Sequence, residues 1–167
     1  MGTGSGCIAV ALAKELPNAD IHASDNSVAA LEIARANAFR LAGGDAHPSI
    51  SRIHFQQTDL LEGMAPDSFD FVVSNPPYVG ESEADTVQLE VRKFEPRQAV
   101  FAGPTGLEVI ERLVPQARRC LKPGGWLVME ISGTIGDRVP GLLQGWGSVS
   151  IAKDLQGIPR VASAQRT

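Results

Sequence analysis

The chain has 167 residues, 43% hydrophobic and 20% charged, which predicts one soluble globular domain over residues 1–167 with its own core. Its net charge of −4 lacks the basic footprint of a nucleic-acid binder, although a further domain could supply one. No apolar run approaches the ~20 residues of a membrane span, and the N-terminus has neither the basic start nor the apolar core of a signal peptide; a cytoplasmic location with no membrane partner is the default expectation.

Strand and helix alternate along the chain. Residues 5–16 read as a helix with Ile8, Leu12 and Leu16 on one face, stopped by Pro17. Residues 21–25 form a short strand ending in Asp25. Ser27 is an N-cap candidate for a helix over 28–41 that closes at Gly43-Gly44. Strands follow at 53–58, ending at Asp59, and at 69–74, ending at Asn75. Residues 80–103 are polar and irregular, the kind of long loop that usually serves function. A helix over 106–121 stops at Lys122-Pro123-Gly124-Gly125, and a buried strand covers 126–131. A weaker helix at 137–143 precedes strands at 148–153 and 160–164, which have no helix between them and so pair antiparallel. This order predicts an α/β fold, a mostly parallel sheet with helices on both faces. Ligands of such sheets sit beyond the carboxyl ends of the strands, where the glycine loop, Asp25, Asp59 and Asn75 all fall.

Cys7 and Cys120 lie in separate helical patterns without a CxxC partner, so both read as buried small hydrophobes in a reducing compartment. His22, His47 and His54 form no sequence cluster and read as structural or exposed. No metal site is expected, and no nucleophile triad is evident.

The loop Gly2-Thr3-Gly4-Ser5-Gly6 lets backbone approach a ligand at a helix N-terminus. It lacks the Lys-Ser/Thr of a phosphate-binding loop, which favours a cofactor without phosphate; simple turn packing is the competing reading. Asp25, ~20 residues after the loop, can accept from ribose hydroxyls, or else cap the helix ahead of Ser27. Asp59 can take an adenine amino group while Leu60 covers the ring, or Asp59 is a solvated loop carboxylate.

The most specific signal is Asn75-Pro76-Pro77-Tyr78. Two prolines stiffen the turn and remove two N–H donors. The Asn75 side-chain oxygen and the Pro76 carbonyl can then accept from one substrate NH2, while Tyr78 stacks on its plane. An amide nitrogen is a poor nucleophile, so fixing its orientation and favouring positive charge on nitrogen are what a methyl-transferring enzyme must supply. With the glycine loop, this points to transfer from S-adenosylmethionine to a planar amide or amino nitrogen.

Taken together, Gly2-Thr3-Gly4-Ser5-Gly6-Cys7-Ile8-Ala9, Asn75-Pro76-Pro77-Tyr78-Val79, Glu90-Val91-Arg92-Lys93-Phe94-Glu95-Pro96 and Gly157-Ile158-Pro159-Arg160 resemble the bacterial peptide-chain release factor N5-glutamine methyltransferases over nearly the whole chain. The Asn-Pro-Pro-Tyr element is shared with base methylases of nucleic acid; the other segments are more particular to the release-factor group. The resemblance implies a class I (Rossmann-like) methyltransferase fold with a seven-stranded sheet whose last strand is antiparallel, and methylation of the Gln amide in a release factor's Gly-Gly-Gln loop. It implies that Gly2, Thr3, Gly4, Ser5, Gly6 and Asp25 hold the methionine and ribose of S-adenosylmethionine, and Asp59 and Leu60 its adenine. Asn75, also counted with the cofactor contacts, would act with Pro76, Pro77 and Tyr78 on the Gln amide, and Glu95 in the 90–96 segment would shape the substrate channel. Three departures stand out. Met1 takes the place of an apolar strand ending in Asp-Leu, the family's N-terminal helical domain is missing, and Ser132 and Ile135 replace a Gly and a Gln. They predict a fragment, or a misassigned start, of a longer enzyme. The competing functions are an N-methyltransferase for an rRNA or DNA base and an inactive cofactor-binding module.

Overall fold

A computed structural model describes residues 1–41 and 50–167. The expected helix stop at Gly43-Gly44 and His47 lie outside the described residues. The backbone divides into two compact units, Met1–Gly63 and Met64–Thr167.

In the first unit, helix α1 (Cys7–Glu15) is followed by strand β1 (Ile21–Asp25), helix α2 (Val28–Leu41) and strand β2 (Ile53–Gln57). β1 and β2 pair in parallel, with Ile21 opposite Ile53 and Asp25 opposite Gln57. Ser27 caps α2 as expected, its hydroxyl accepting from the Ala30 N–H at 3.2 Å. The buried face of α1 corrects the sequence reading. Ala9, Val10 and Ala13 are buried with Ala23, Ala38 and Ile53, whereas Ile8 and Leu16 are exposed. Small residues on that face let the helix approach its neighbours closely. Gly6 shows how closely: with φ +85°, it would place a Cβ 3.1 Å from that of Ala34, so both its backbone and its missing side chain are required. Cys7, expected to be buried, lies off that face and is exposed; Cys120 is buried as expected.

The second unit holds a four-stranded mixed sheet. Its strands are β3 (Phe69–Ser74), then, after the short pieces described below, β6 (Leu121–Glu130), β7 (Gly147–Lys153) and β8 (Pro159–Gln165). Between β3 and β6 run β4 (Val79–Gly80), α3 (Leu89–Phe94), α4 (Arg97–Val100), β5 (Phe101–Gly103) and α5 (Glu108–Cys120). Sheet order is β3-β6-β8-β7. β3 and β6 are parallel, and β8 runs antiparallel to both β6 and β7, as the missing helix between β7 and β8 predicts. The long 80–103 segment, expected to be irregular, contains two short helices, a 3-10 turn at Glu81–Thr86 and a two-residue parallel pairing of β4 with β5. Polar composition hid these because each is too short to show a period.

Helix α5 packs through Ile110, Leu113, Val114, Ala117 and Cys120, all buried. Their i, i+3, i+4, i+7 spacing makes one apolar stripe. Glu108 and Glu111 sit in its first turn and Arg118 and Arg119 in its last, the arrangement that suits the helix dipole. Each fully buried Leu or Ile here contributes about 1.5–3 kcal/mol. A four-residue helix α6 (Val139–Leu142) is shorter than the 137–143 expected, since Pro140 and Gly141 resist extension. Ile135, one of the departures from the family pattern, is fully buried.

The resemblance implied a sheet of seven strands; the described strands form a four-stranded sheet and two two-stranded sheets, β1-β2 and β4-β5. Among the described residues, the strand partner of β1 is β2 and that of β3 is β6. No helix among the described residues is long and apolar enough to cross a membrane.

Candidate active site

The first unit gathers its candidate residues at the carboxyl ends of β1 and β2. Asp25 closes β1 and folds the glycine loop around itself. Its Oδ2 accepts from the Gly4 N–H at 2.8 Å and its Oδ1 from the Ser27 N–H at 3.0 Å. Thr3 N–H donates to the Ser24 carbonyl at 2.9 Å, and Gly6 N–H returns to the Thr3 carbonyl at 2.8 Å. Gly2, Gly4 and Gly6 all take positive φ, which explains three glycines in five residues. The helix-capping reading of Asp25 is met, since it holds the N-terminal end of α2, and the same carboxylate also braces the glycine loop. Each of its oxygens keeps a second lone pair for a ligand hydroxyl.

Leu60 follows Asp59 with φ +53°, a costly conformation for a branched side chain. Its carbonyl accepts from the buried Ser24 hydroxyl at 3.2 Å, which ties the turn after β2 to the end of β1. The Leu60 side chain is buried, 8% exposed. The fit to S-adenosylmethionine rests on this geometry. The cradle over Gly4 has no heavy atom within 4 Å of where a Cβ would stand, carries no lysine for a phosphate chain, and has Asp25 beside it.

The second unit supplies the Asn-Pro-Pro-Tyr turn. β3 ends at Ser74, buried and paired in register with Met129 of β6. Asn75 then emerges exposed, Pro76 is buried, and Pro77 and Tyr78 are half-buried. Pro76 anchors the turn and Asn75 faces solvent, the disposition a recognition side chain needs. The Tyr78 hydroxyl donates to Glu130 Oε1 at 2.9 Å. Burial, then the bond to Glu130, pushes the Tyr78 phenol up to about 12. The carbonyl of Tyr78 is crowded by Gly106, whose φ is +83° and where a Cβ would fall 2.6 Å from that oxygen.

Glu130 was not singled out by the sequence. Its signal was present all the same, a carboxylate closing a buried strand beside the strand that carries Asn75. Arg160 supports the pair electrostatically. It donates from Nε to Asp154 Oδ2 at 2.8 Å, and Asp154 Oδ1 also takes the Gln156 and Ile158 N–H groups, so Gly157-Ile158-Pro159-Arg160 is a braced hairpin. Glu95 stands apart. It ends α3, exposed, and lines a cleft of about 290 Å³ with Ala84, Val91, Arg92, Val100 and Phe101. A second cleft, of about 570 Å³, is lined by Glu81, Pro96, Arg97, Phe101 and Gly103 among others. Neither of these two clefts is lined by Asn75, Pro76, Pro77 or Tyr78.

The model of the methyltransferase small domain matches residues 1–94, more than half of the chain. The chain belongs to the methyltransferase small domain family. Its cofactor class is therefore S-adenosylmethionine. The release factor glutamine methyltransferase of Koribacter versatilis is 48% identical over 167 residues, covering 99% of this chain and 57% of the relative. That of Rhodopirellula baltica is 41% identical over 170 residues, covering 99% and 55%. The chain thus spans about half the length of the curated relatives it matches. Among solved structures, a predicted O-methyltransferase, Atu636 of Agrobacterium tumefaciens, superimposes with a TM-score of 0.70 at 18% identity, covering 99% of this chain and 71% of that one. This likeness places the chain in the class I α/β fold that the resemblance implied, within the α/β class that the strand–helix alternation predicted.

Proposed function

We propose that this chain carries the catalytic part of a protein-glutamine N5-methyltransferase whose substrate is the Gly-Gly-Gln loop of a peptide-chain release factor. The observation that carries the reading is the turn at the end of β3, with Asn75 exposed on a buried Pro76 and Tyr78 tethered to Glu130. Two of its curated relatives are named release factor glutamine methyltransferase at 48% and 41% identity, and that agreement supports the choice of substrate.

S-adenosylmethionine, when bound, supplies an electrophilic methyl group. Gly2, Thr3, Gly4, Ser5, Gly6 and Asp25 would hold its methionine and ribose, and Asp59 and Leu60 its adenine. The Asn75 Oδ1 and the Pro76 carbonyl accept the two N–H bonds of the Gln amide. That fixes the nitrogen's direction and stabilises the positive charge that develops on it. The Tyr78 ring lies against the amide plane, its orientation held through Glu130. No strong base is called for, because the nitrogen acquires its positive charge before it loses a proton. Phe94, 81% exposed, and the Glu90–Pro96 segment offer the surface that meets the protein substrate.

The test is labelled methyl transfer to release factor, to the same factor with its loop Gln changed to Ala, and to ribosomal RNA. Label on the intact factor alone is the expected result. Label on RNA alone would move the chain to the base methylases, a reading its net charge of −4 opposes. Cofactor binding with no transfer to any of the three would leave only a binding module.

A further inference from the structure

A second cluster lies at the opposite ends of the strands from the glycine loop. His22 in β1 and His54 in β2 are register partners in the parallel pair. Their neighbours Ala23 and Ile53 belong to the buried core, so strand alternation turns both imidazoles to the other, exposed face. The rings stand 5.0 Å apart, tilted by 34°. Asp20, one residue before β1, reaches between them. Its Oδ1 is 2.6 Å from His54 Nε2 and its Oδ2 is 3.5 Å from His22 Nε2. The three ligand atoms lie within 4.8 Å of one another.

We propose that Asp20, His22 and His54 form a divalent transition-metal site of the zinc class, clipping the start of β1 to the start of β2. Two imidazoles and one carboxylate are the donor set that zinc, cobalt and nickel accept, and one that magnesium and calcium, which prefer oxygen, do not. Zinc bonds of about 2.0–2.2 Å place tetrahedral donors roughly 3.3 Å apart. The observed spacings bracket that value, and three solvent-facing side chains can close on an ion without moving the core. The parallel register holds both His backbones one strand spacing apart, about 4.8 Å, so little chain order remains to be imposed on binding. Water completes the shell on the open side. Asp25 lies three residues beyond His22, roughly 10 Å along the strand, so the ion is structural and does not act on the cofactor loop.

The test uses the 167-residue chain without a histidine tag, stripped of metal with EDTA. Calorimetric titration with zinc chloride should give one saturable site below about 100 µM, a thermal midpoint that rises with zinc, and no heat with magnesium chloride. His22→Ala and His54→Ala should each weaken zinc at least about tenfold. The His22→Ala and His54→Ala variants should keep the wild-type circular dichroism, since both side chains lie on the exposed face of the strand pair. Absence of saturable zinc binding up to about 1 mM, or equal binding by wild type and the His22→Ala/His54→Ala double variant, overturns the site.

Discussion

The hydroxyl of Tyr78 donates to Glu130 Oε1 at 2.9 Å. The contact joins the turn after β3 to the last residue of β6. It exists because those strands are parallel neighbours, with Ser74 level with Met129; the chain leaving β3 passes beside the carboxylate that ends β6. The ring of the turn is thereby given one orientation.

Tyr78 is the single tyrosine of the chain, so its titration can be read directly from tyrosinate absorbance. The midpoint should lie near 12. In Glu130→Gln it should fall part of the way towards the ordinary value of 10.0, because burial persists while the charged acceptor is gone. The sign follows from a raised value: the phenol's contribution to stability is complete below about pH 10 and is lost as pH rises towards 12. Tyr78→Phe should cost about 1 kcal/mol in chemical denaturation, a charge-assisted hydrogen bond reduced by partial exposure. An unchanged titration in Glu130→Gln would dissolve the proposed tether.

Asn75→Ala should lower methyl transfer on the order of 10²-fold, as loss of one oriented polar group does elsewhere. Because Asn75 is exposed, stability should stay within about 0.5 kcal/mol of wild type. Rates at saturating cofactor, compared with thermal melts, separate the two effects. Near-normal turnover would remove Asn75 from the amide-binding role.

Asp25→Ala should act on both folding and cofactor affinity, since it strands the Gly4 and Ser27 N–H groups. The expected loss is about 1–3 kcal/mol in denaturant melts. Binding of S-adenosylhomocysteine should weaken as well, while Asp25→Asn, which keeps one acceptor oxygen, should fall between. Equal cofactor affinity in Asp25→Asn and wild type would restrict Asp25 to bracing the loop.

Gly106→Ala should destabilise by about 1–3 kcal/mol, because a Cβ at φ +83° would lie 2.6 Å from the Tyr78 carbonyl. Relief requires the Tyr78 turn to shift, so transfer activity should drop further than the stability change alone accounts for. Thermal melts and initial rates on the same preparation distinguish these contributions. A variant with wild-type stability would show that the turn has room to move.

Much was legible along the chain because the signals are local. Ile21–Asp25, Val28–Leu41 and Phe69–Ser74 occupy the spans their patterns indicate, and the Ser27 cap is where a serine before a helical run belongs. Helix α1 was misread for a reason of size. Its large residues, Ile8 and Leu16, mark a face by hydrophobicity, but alanines pack closest to a sheet. The small elements in 80–103 escaped because none exceeds six residues, too few for a period to repeat. The histidines escaped because His22 and His54 are 32 apart in the chain and meet only through strand pairing.

From its order of residues alone, this chain determined an alternating α/β fold, a glycine loop before a helix, acids closing two strands, and a stiff Asn-Pro-Pro-Tyr turn closing a third. These depend on backbone conformations and periods that each short segment carries within itself. Tertiary structure alone decided that Asp25 would brace Gly4, that Glu130 would hold Tyr78, and that Asp20, His22 and His54 would converge. Each is a contact between segments distant in the chain, and parallel register, which no single segment encodes, sets which side chains meet.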